Sequence, residues 1–292
     1  MYLPQGMPLL VPRYESIDIG SAIKEGLYNQ DDLDEYNLPP LIIYHYTSIE
    51  KAKLIIEGQK LRFSCPNDFN DPFDMYEGLI DYSGTPKQIR EWANKAFADK
   101  RRSDRRRLTK LANNSALEFE RFRREQYAEL KLRCGVCCFS KSYLVNLMWS
   151  HYAQYHKGVC LGFNIHPIRG QDFFIREVNY AHQIKKENLY DLDHRIISHY
   201  VFTKSHIWSY EQEVRAVLIE RPESSLVGFA RDCLREVYFG CKTSKSDMIE
   251  ILDLLEKKKY NLTTQKKMYI DESIFDIKPS DLDILNTISK KA

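Results

Sequence analysis

The sequence predicts an α+β fold, because its strands and helices mix without a regular βαβ rhythm. Three observations lead there. Short runs of aliphatic, β-branched and aromatic residues alternate with period two between residues 41 and 277, punctuated by Gly, Pro, Asn and Asp. Between residues 86 and 131 the composition turns helical and highly charged. No G-x-G-x-x-G or G-x-x-x-x-G-K-[ST] run is present, so no glycine-rich phosphate loop organises the chain.

In order, residues 1 to about 40 read as an N-terminal arm that ends at Pro39-Pro40. The rest reads as a single domain, residues 41–292, with a helical insertion at about 86–131. Leu41 to Thr47 is a strand. Ser48 caps a helix from Ile49 to Glu57, and Gly58 stops it. Lys60 to Ser64 is a second strand. Pro66 to Asp74 is a loop of turn formers whose Asn and Asp oxygens either close Asx-turns or meet a ligand. Within the insertion, Ile89, Trp92, Ala93, Ala96 and Phe97 share a stripe, and Leu108, Leu111 and Ala112 share another. Lys100 to Arg133 holds twelve Lys/Arg against five Asp/Glu, a local charge of +7. Cys134 to Ser140, Gly158 to Phe163, Phe174 to Tyr180 and Glu236 to Gly240 are strands. Met148 to Ala153 is a short helix or turn, and His182 to about His206 is helical. Ser246 caps a helix from Asp247 to Lys259, and Lys267 to Ile277 closes the sheet.

Trp208 to Ile219 reads as one strand. Val214, Ala216 and Leu218 fall on a core-facing side, and Glu211, Glu213 and Arg215 on the other, facing a cleft. The plain alternative is a solvated face on which Arg215 neutralises a neighbour. At an exposed strand end, Glu213→Gln is expected to cost little stability.

Composition narrows the class. A net charge of +2 on 292 residues marks no general polyanion binder. No apolar run approaches the roughly 20 residues that a membrane span needs, and residues 1–12 are too short and Pro-rich for a signal peptide. The seven cysteines are odd in number and lie mostly in apolar runs, which reads as reduced thiols in a cytoplasm. Cys134 and Cys137 have C-x-x-C spacing. No second pair follows to complete four zinc ligands, so no metal is expected.

Four stretches together resemble a bacterial family of unknown function. They are Tyr44-His45-Tyr46-Thr47-Ser48; Arg62-Phe63-Ser64 with Phe69-Asn70-Asp71-Pro72-Phe73-Asp74; Met148-Trp149-Ser150-His151-Tyr152-Ala153 with His156 to Phe163; and Trp208 to Arg215. That family in turn resembles the ADP-ribosyltransferase fold, which implies a mixed, mainly antiparallel sheet core. By the resemblance, His45, Tyr152 and Glu213 are the catalytic set. His45 would bond a ribose hydroxyl of NAD, Tyr152 would stack on nicotinamide, and Glu213 would steady an oxocarbenium-like sugar. Tyr143, Tyr155 and Tyr46 stay open for the stacking role. Tyr44, Thr47, Ser48, Arg62, Asn70, Asp71, Trp149 and Glu211 are the candidate NAD-binding residues. The bland readings are a structural hydrogen bond for His45, core packing for Trp149 and Tyr152, and a surface ion pair for Arg62. Glu211-Gln212-Glu213 has the E-x-E pattern of the arginine-modifying branch, although that branch begins with Arg where this chain has His45.

Two functions follow. The first is an enzyme that cleaves the nicotinamide–ribose bond of NAD and acts on a macromolecular or nucleotide target; the resemblance implies a toxin or a phage-defence effector. The second is a non-catalytic nucleotide or nucleic-acid sensor, with the basic segment Lys100–Arg133 neutralising phosphates. The enzyme reading requires His45 and Glu213 on adjacent strands lining one cavity.

Overall fold

The computed structural model describes residues 42–96, 102–164, 174–190, 195–218, 221 and 223–282. The expected N-terminal arm, together with Phe97, Lys100, Arg101 and Ile219, lies outside them. In chain order the elements are β1 (Ile42–Thr47), α1 (Ile49–Gly58), β2 (Lys60–Arg62), β3 (Ile80–Asp81), α2 (Pro86–Ala96), α3 (Arg102–Asn114) and α4 (Ala116–Arg133). Next come β4 (Gly135–Ser140), α5 (Asn146–Tyr152), β5 (Val159–Asn164), β6 (Phe174–Glu177), β7 (Asn179–Ala181), β8 (Glu187–Asn188), α6 (Arg195–Phe202) and β9 (Thr203–Ser205). The chain closes with β10 (Glu213–Leu218), β11 (Leu226–Gly228), β12 (Leu234–Phe239), α7 (Lys245–Lys257), β13 (Thr264–Asp271) and β14 (Asp276–Asp281). The fold is α+β.

Chain contacts divide the described residues into two compact units. The sheet unit takes 42–64, Gly135–Val178 and 207–282; the helical unit takes Cys65–Cys134 and Asn179–His206.

The sheet unit is built on eight strands in the order β14-β13-β12-β5-β1-β4-β10-β6. Every neighbouring pair is antiparallel except β12 with β13, so the sheet is mixed and mainly antiparallel. Its larger core lies on the face that carries Ile43, Phe139, Leu161, Phe163, Val214 and Val237, under α1 and α7. The apolar residues of α1 recur at helical spacing (Ile49, Ala52, Ile55, Ile56), and all four are buried. Each of the three isoleucines removed from water contributes about 1.5–3 kcal/mol. Ser48 caps α1 as its sequence indicates, and its oxygen accepts from Lys51 N. The left-handed residue after α1 is Gln59 (φ 49°) rather than Gly58. Ser244, not Ser246, caps α7, accepting from Asp247 N. On the opposite face a smaller core joins Tyr46, Cys160, Tyr238 and Met268 to Trp149 of α5.

After α5 the chain makes an uncommon turn. Gln154, Tyr155 and His156 take positive φ in succession (50°, 55° and 69°). Each such non-glycine residue costs about 1–2 kcal/mol. The turn is held by Gly158 N donating to Ala153 O, His156 N to Trp149 O, and Lys242 N to the His156 carbonyl. Gly240 packs flat on that carbonyl: a Cβ there would lie 2.1 Å from His156 O.

The helical unit turns the expected insertion into three helices, α2, α3 and α4. It also holds α6 and two short parallel pairs, β3 with β8 and β7 with β9. Among the described residues from His182 to His206, Arg195–Phe202 is α-helical, while Glu187–Asn188 and Thr203–Ser205 are strands. On α3 the side chains of Arg102, Arg106, Arg107 and Lys110 are exposed.

Two glycines test this packing. Gly240→Ala should lower the unfolding free energy by about 3 kcal/mol, since backbone must move to admit the methyl. Gly228→Ala, where a Cβ meets nothing nearer than 3.8 Å, should be close to neutral. Urea unfolding of both variants checks the contrast; equal stabilities would refute it.

Candidate functional site

Strand pairing decides which of the singled-out residues can meet. Across the sheet, Glu213 stands opposite Ser140, Ser140 opposite Tyr44, Tyr44 opposite Gly162, and Gly162 opposite Glu236. Residues that pair directly share a face. Glu213, Ser140, Tyr44 and Glu236 thus form one row on the face of the smaller core. His45 pairs with Leu161, and its ring lies 5.7 Å from that of Phe139, so it belongs to the face of the larger core. Moreover, β4 runs between β1 and β10. The structure therefore does not bring His45 and Glu213 to one cavity. Adjacent strand residues point to opposite faces, and His45 is out of phase with Glu213 by one residue.

His45 has a structural bond instead. Its Nδ1 meets Cys138 O at 3.0 Å, which makes the neutral ring an N–H donor. Burial lowers its pKa, and the Lys51 ammonium lowers it further, against the pull of the Cys138 carbonyl.

The stretch from Trp208 onward is not one strand. His206–Glu211 is a turn of 3-10 helix, Gln212 is left-handed (φ 45°), and β10 starts only at Glu213. Gln212 N donates to Ser209 O, closing the turn. Glu211 and Glu213 therefore do not share a strand face by alternation. Both are also buried, at 2% and 3% exposure, and Arg215 is at 0%. Arg215 grips Glu213 with two bonds, Nε to Oε1 at 2.8 Å and Nη2 to Oε2 at 3.0 Å. Glu213 is thus half of a neutralised internal pair rather than an open carboxylate.

Glu211 meets a phenol. Tyr152, at the end of α5, donates its phenol to Glu211 Oε1 at 2.6 Å. Tyr152, Tyr44, Tyr143 and Tyr210 are half-buried and pack together on the smaller core. Beside them Tyr44 and Tyr238 both donate to Glu236 Oε2, at 3.1 and 2.9 Å. Tyr143 stacks on Tyr238 with centroids 3.9 Å apart. Burial, followed by the Glu236 charge, raises the Tyr44 phenol well above its ordinary pKa. Gly162 makes this cluster possible, since a Cβ there would lie 2.8 Å from Glu236 Cβ and 3.2 Å from the Tyr44 ring.

The remaining candidates scatter. Trp149 is fully buried, with Nε1 donating to Tyr143 O at 2.8 Å, and serves the core. Thr47 is buried and Ser48 is spent on its cap. Arg62 is exposed on β2. Asn70 and Asp71 belong to the helical unit, where Asp71 Oδ1 accepts from Phe73 N in an Asx-turn. Cys134 and Cys137 are buried free thiols. Among the described residues no group of His, Cys, Asp and Glu could hold a metal ion, and no helix is long and apolar enough to cross a membrane. A groove of about 560 Å³ opens beside the β13–β14 hairpin, lined by Asn146, His156 and Lys242, and none of the candidate catalytic or NAD-binding residues lines it.

A family model matches residues 148–216. It is described as Protein of unknown function (DUF2971). Neither the curated proteins nor the solved structures include a match to this chain. The DUF2971 stretch begins in α5 and ends in β10, and so contains Tyr152, Glu211, Glu213 and Arg215. Sequence reasoning kept Tyr143 as an alternative for the stacking role and missed the parts played by Gly162, Glu236 and Tyr238. Their signals were a glycine inside a strand, which marks close approach of a neighbour, and the alternation Glu236-x-Tyr238.

Two outcomes follow from the site. Contrary to the sequence expectation, Glu213→Gln should destabilise by about 3 kcal/mol or more, because it removes the carboxylate charge that accepts two bonds from the buried Arg215. Equilibrium unfolding that finds a loss below about 0.5 kcal/mol, as for a plain surface change, would contradict the pair's role. A histidine with a lowered native pKa takes up its proton mainly on unfolding. Stability should therefore fall as pH drops below about 6.5. His45→Gln should flatten that slope in part, since burial lowers His156 as well; an unchanged slope would show that His45 does not contribute.

Proposed function

We propose that the sheet unit binds NAD on the face carrying Tyr44, Tyr152 and Glu211, and cleaves its nicotinamide–ribose bond. The observation that carries this reading is the Tyr152–Glu211 hydrogen bond of 2.6 Å, which joins a phenol and a carboxylate among half-buried tyrosines. Glycosidic cleavage builds positive charge on the sugar, and a carboxylate held at the sugar stabilises it. In this reading Glu211 is that carboxylate, the tyrosines supply aromatic surface for the rings, and the Glu213–Arg215 pair positions the start of β10. His45 touches no ligand. The acceptor, macromolecule or nucleotide, and a role as toxin or phage-defence effector rest on the resemblance to ADP-ribosyltransferases.

The second reading, a sensor without chemistry, is favoured by the exposed Arg102, Arg106, Arg107 and Lys110 of α3. A basic face of this kind binds nucleic acid with an affinity that falls steeply with salt.

Mass spectrometry of nicotinamide release from NAD, with and without cell extract, separates them. Glu211→Gln should slow release by roughly a hundredfold or more, equivalent to about 3 kcal/mol of lost stabilisation in the transition state. It should leave NAD binding nearly intact, since the charge matters least in the ground state. Wild-type protein that neither binds nor consumes NAD would sink the enzyme reading. Salt-sensitive nucleic-acid binding lost in Arg106→Glu with Arg107→Glu would then support the sensor.

A further inference from the structure

The helical unit contains a buried cation that, among the described residues, has no ion pair with an acid. The buried stripe of α4 is Phe119, Arg123, Tyr127 and Leu130, so an arginine occupies a position where helical spacing calls for an apolar residue. Arg123 is 2% exposed. Its guanidinium carbon lies 4.4 Å from the centre of the Trp92 ring and 5.9 Å from that of Tyr127. Trp92 meets Tyr190 edge-on at 5.7 Å, and Tyr127 meets Tyr82 in the same way at 5.8 Å. Gly84 lets the Tyr190 ring in, since a Cβ there would stand 2.5 Å from it. The cation thus lies over the rings of Trp92 and Tyr127, and Tyr190 and Tyr82 pack edge-on against those two rings.

The hydrogen bonds do not close. One terminal nitrogen of Arg123 donates to Gln126 Oε1. Among the described residues, Arg123 Nε, Tyr82 Oη and Tyr190 Oη are buried without a partner, and no carboxylate pairs with Arg123. Tyr82 and Tyr190 are 2% and 4% exposed. A buried guanidinium that lacks an anion is strongly unfavourable, and ring faces offset only part of that cost. All three orphan groups can donate. A planar guanidinium fork and phenol hydroxyls are the kinds of donor that bind the oxygens of a carboxylate or a phosphate.

We propose that Arg123, Tyr82 and Tyr190 form a binding site for an oxyanion, a phosphate or carboxylate group carried by a small ligand. The site does not depend on the NAD reading, and it can stand or fall alone. The competing account is a purely structural box in which the rings alone accommodate the cation.

Thermal unfolding of the full chain decides between them. It is titrated in parallel with inorganic phosphate and with acetate, each against sodium chloride at matched ionic strength. An oxyanion site predicts a saturable rise in the midpoint beyond the chloride control, because a ligand that binds only the native state stabilises it. Saturation with phosphate alone assigns a phosphoryl group, and with acetate alone a carboxylate. Arg123→Met should abolish the saturable rise. Tyr82→Phe combined with Tyr190→Phe should weaken it by roughly tenfold while keeping the cation in place, and it serves if Arg123→Met fails to fold. Midpoints that track chloride for both anions would overturn the proposal. So would an undiminished response in either variant.

Discussion

The pairing register at the centre of the sheet is the constraint on which the other features of the site depend. Six consecutive pairs tie β1 to β5, and six tie β10 to β4. With side chains alternating strictly, that register leaves no freedom over which residues share a face. It assigns Tyr44, Glu213 and Glu236 to one side and His45 to the other. It also sets Gly162 between Tyr44 and Glu236, where its missing side chain lets phenol and carboxylate meet. A slip of one residue in β1 would exchange His45 for Tyr44 on the tyrosine face. It would also turn Ile43 out of the main core, which is why the slip does not occur.

The second organising feature is the pair of Glu213 and Arg215. Two residues apart on β10, they lie on one face, and the short spacing suits the two-pronged bond. Both are buried, so the pair is expensive to break even where its net contribution to stability is modest. Its value is positional. It fixes the first turn of β10 directly after left-handed Gln212, and so fixes where the preceding 3-10 turn presents Glu211 to Tyr152. A sequence motif of two acids and an arginine thus resolves into two different jobs.

Much of the fold was legible in the sequence because local rules governed it. The apolar period of α1, the Ser48 cap, the alternation in β1, β4 and β5, and the α+β mixture all follow from residues close in sequence. The strand read from Trp208 onward failed at one residue. Gln212 has no glycine-like signature, yet tertiary contacts hold it at positive φ and split the stretch into turn and strand. Ser244 displaced Ser246 as a cap for a similar reason, since both residues satisfy the local rule. The site was less legible. Tyr152, Glu211 and Glu213 were found by motif, but which face each residue takes depends on pairing between strands far apart in the chain. The same holds for Arg123, whose charge read as part of the basic segment Lys100–Arg133 until the stripe of α4 placed it inside.

The central claim is that the tyrosine face, and not the face bearing His45, is the working surface. Nicotinamide release from NAD by His45→Gln and by Glu211→Gln, measured side by side with the wild type on folded protein, tests it most directly. The account predicts near wild-type release for His45→Gln and a loss of roughly a hundredfold or more for Glu211→Gln. Release abolished in His45→Gln and retained in Glu211→Gln would contradict it.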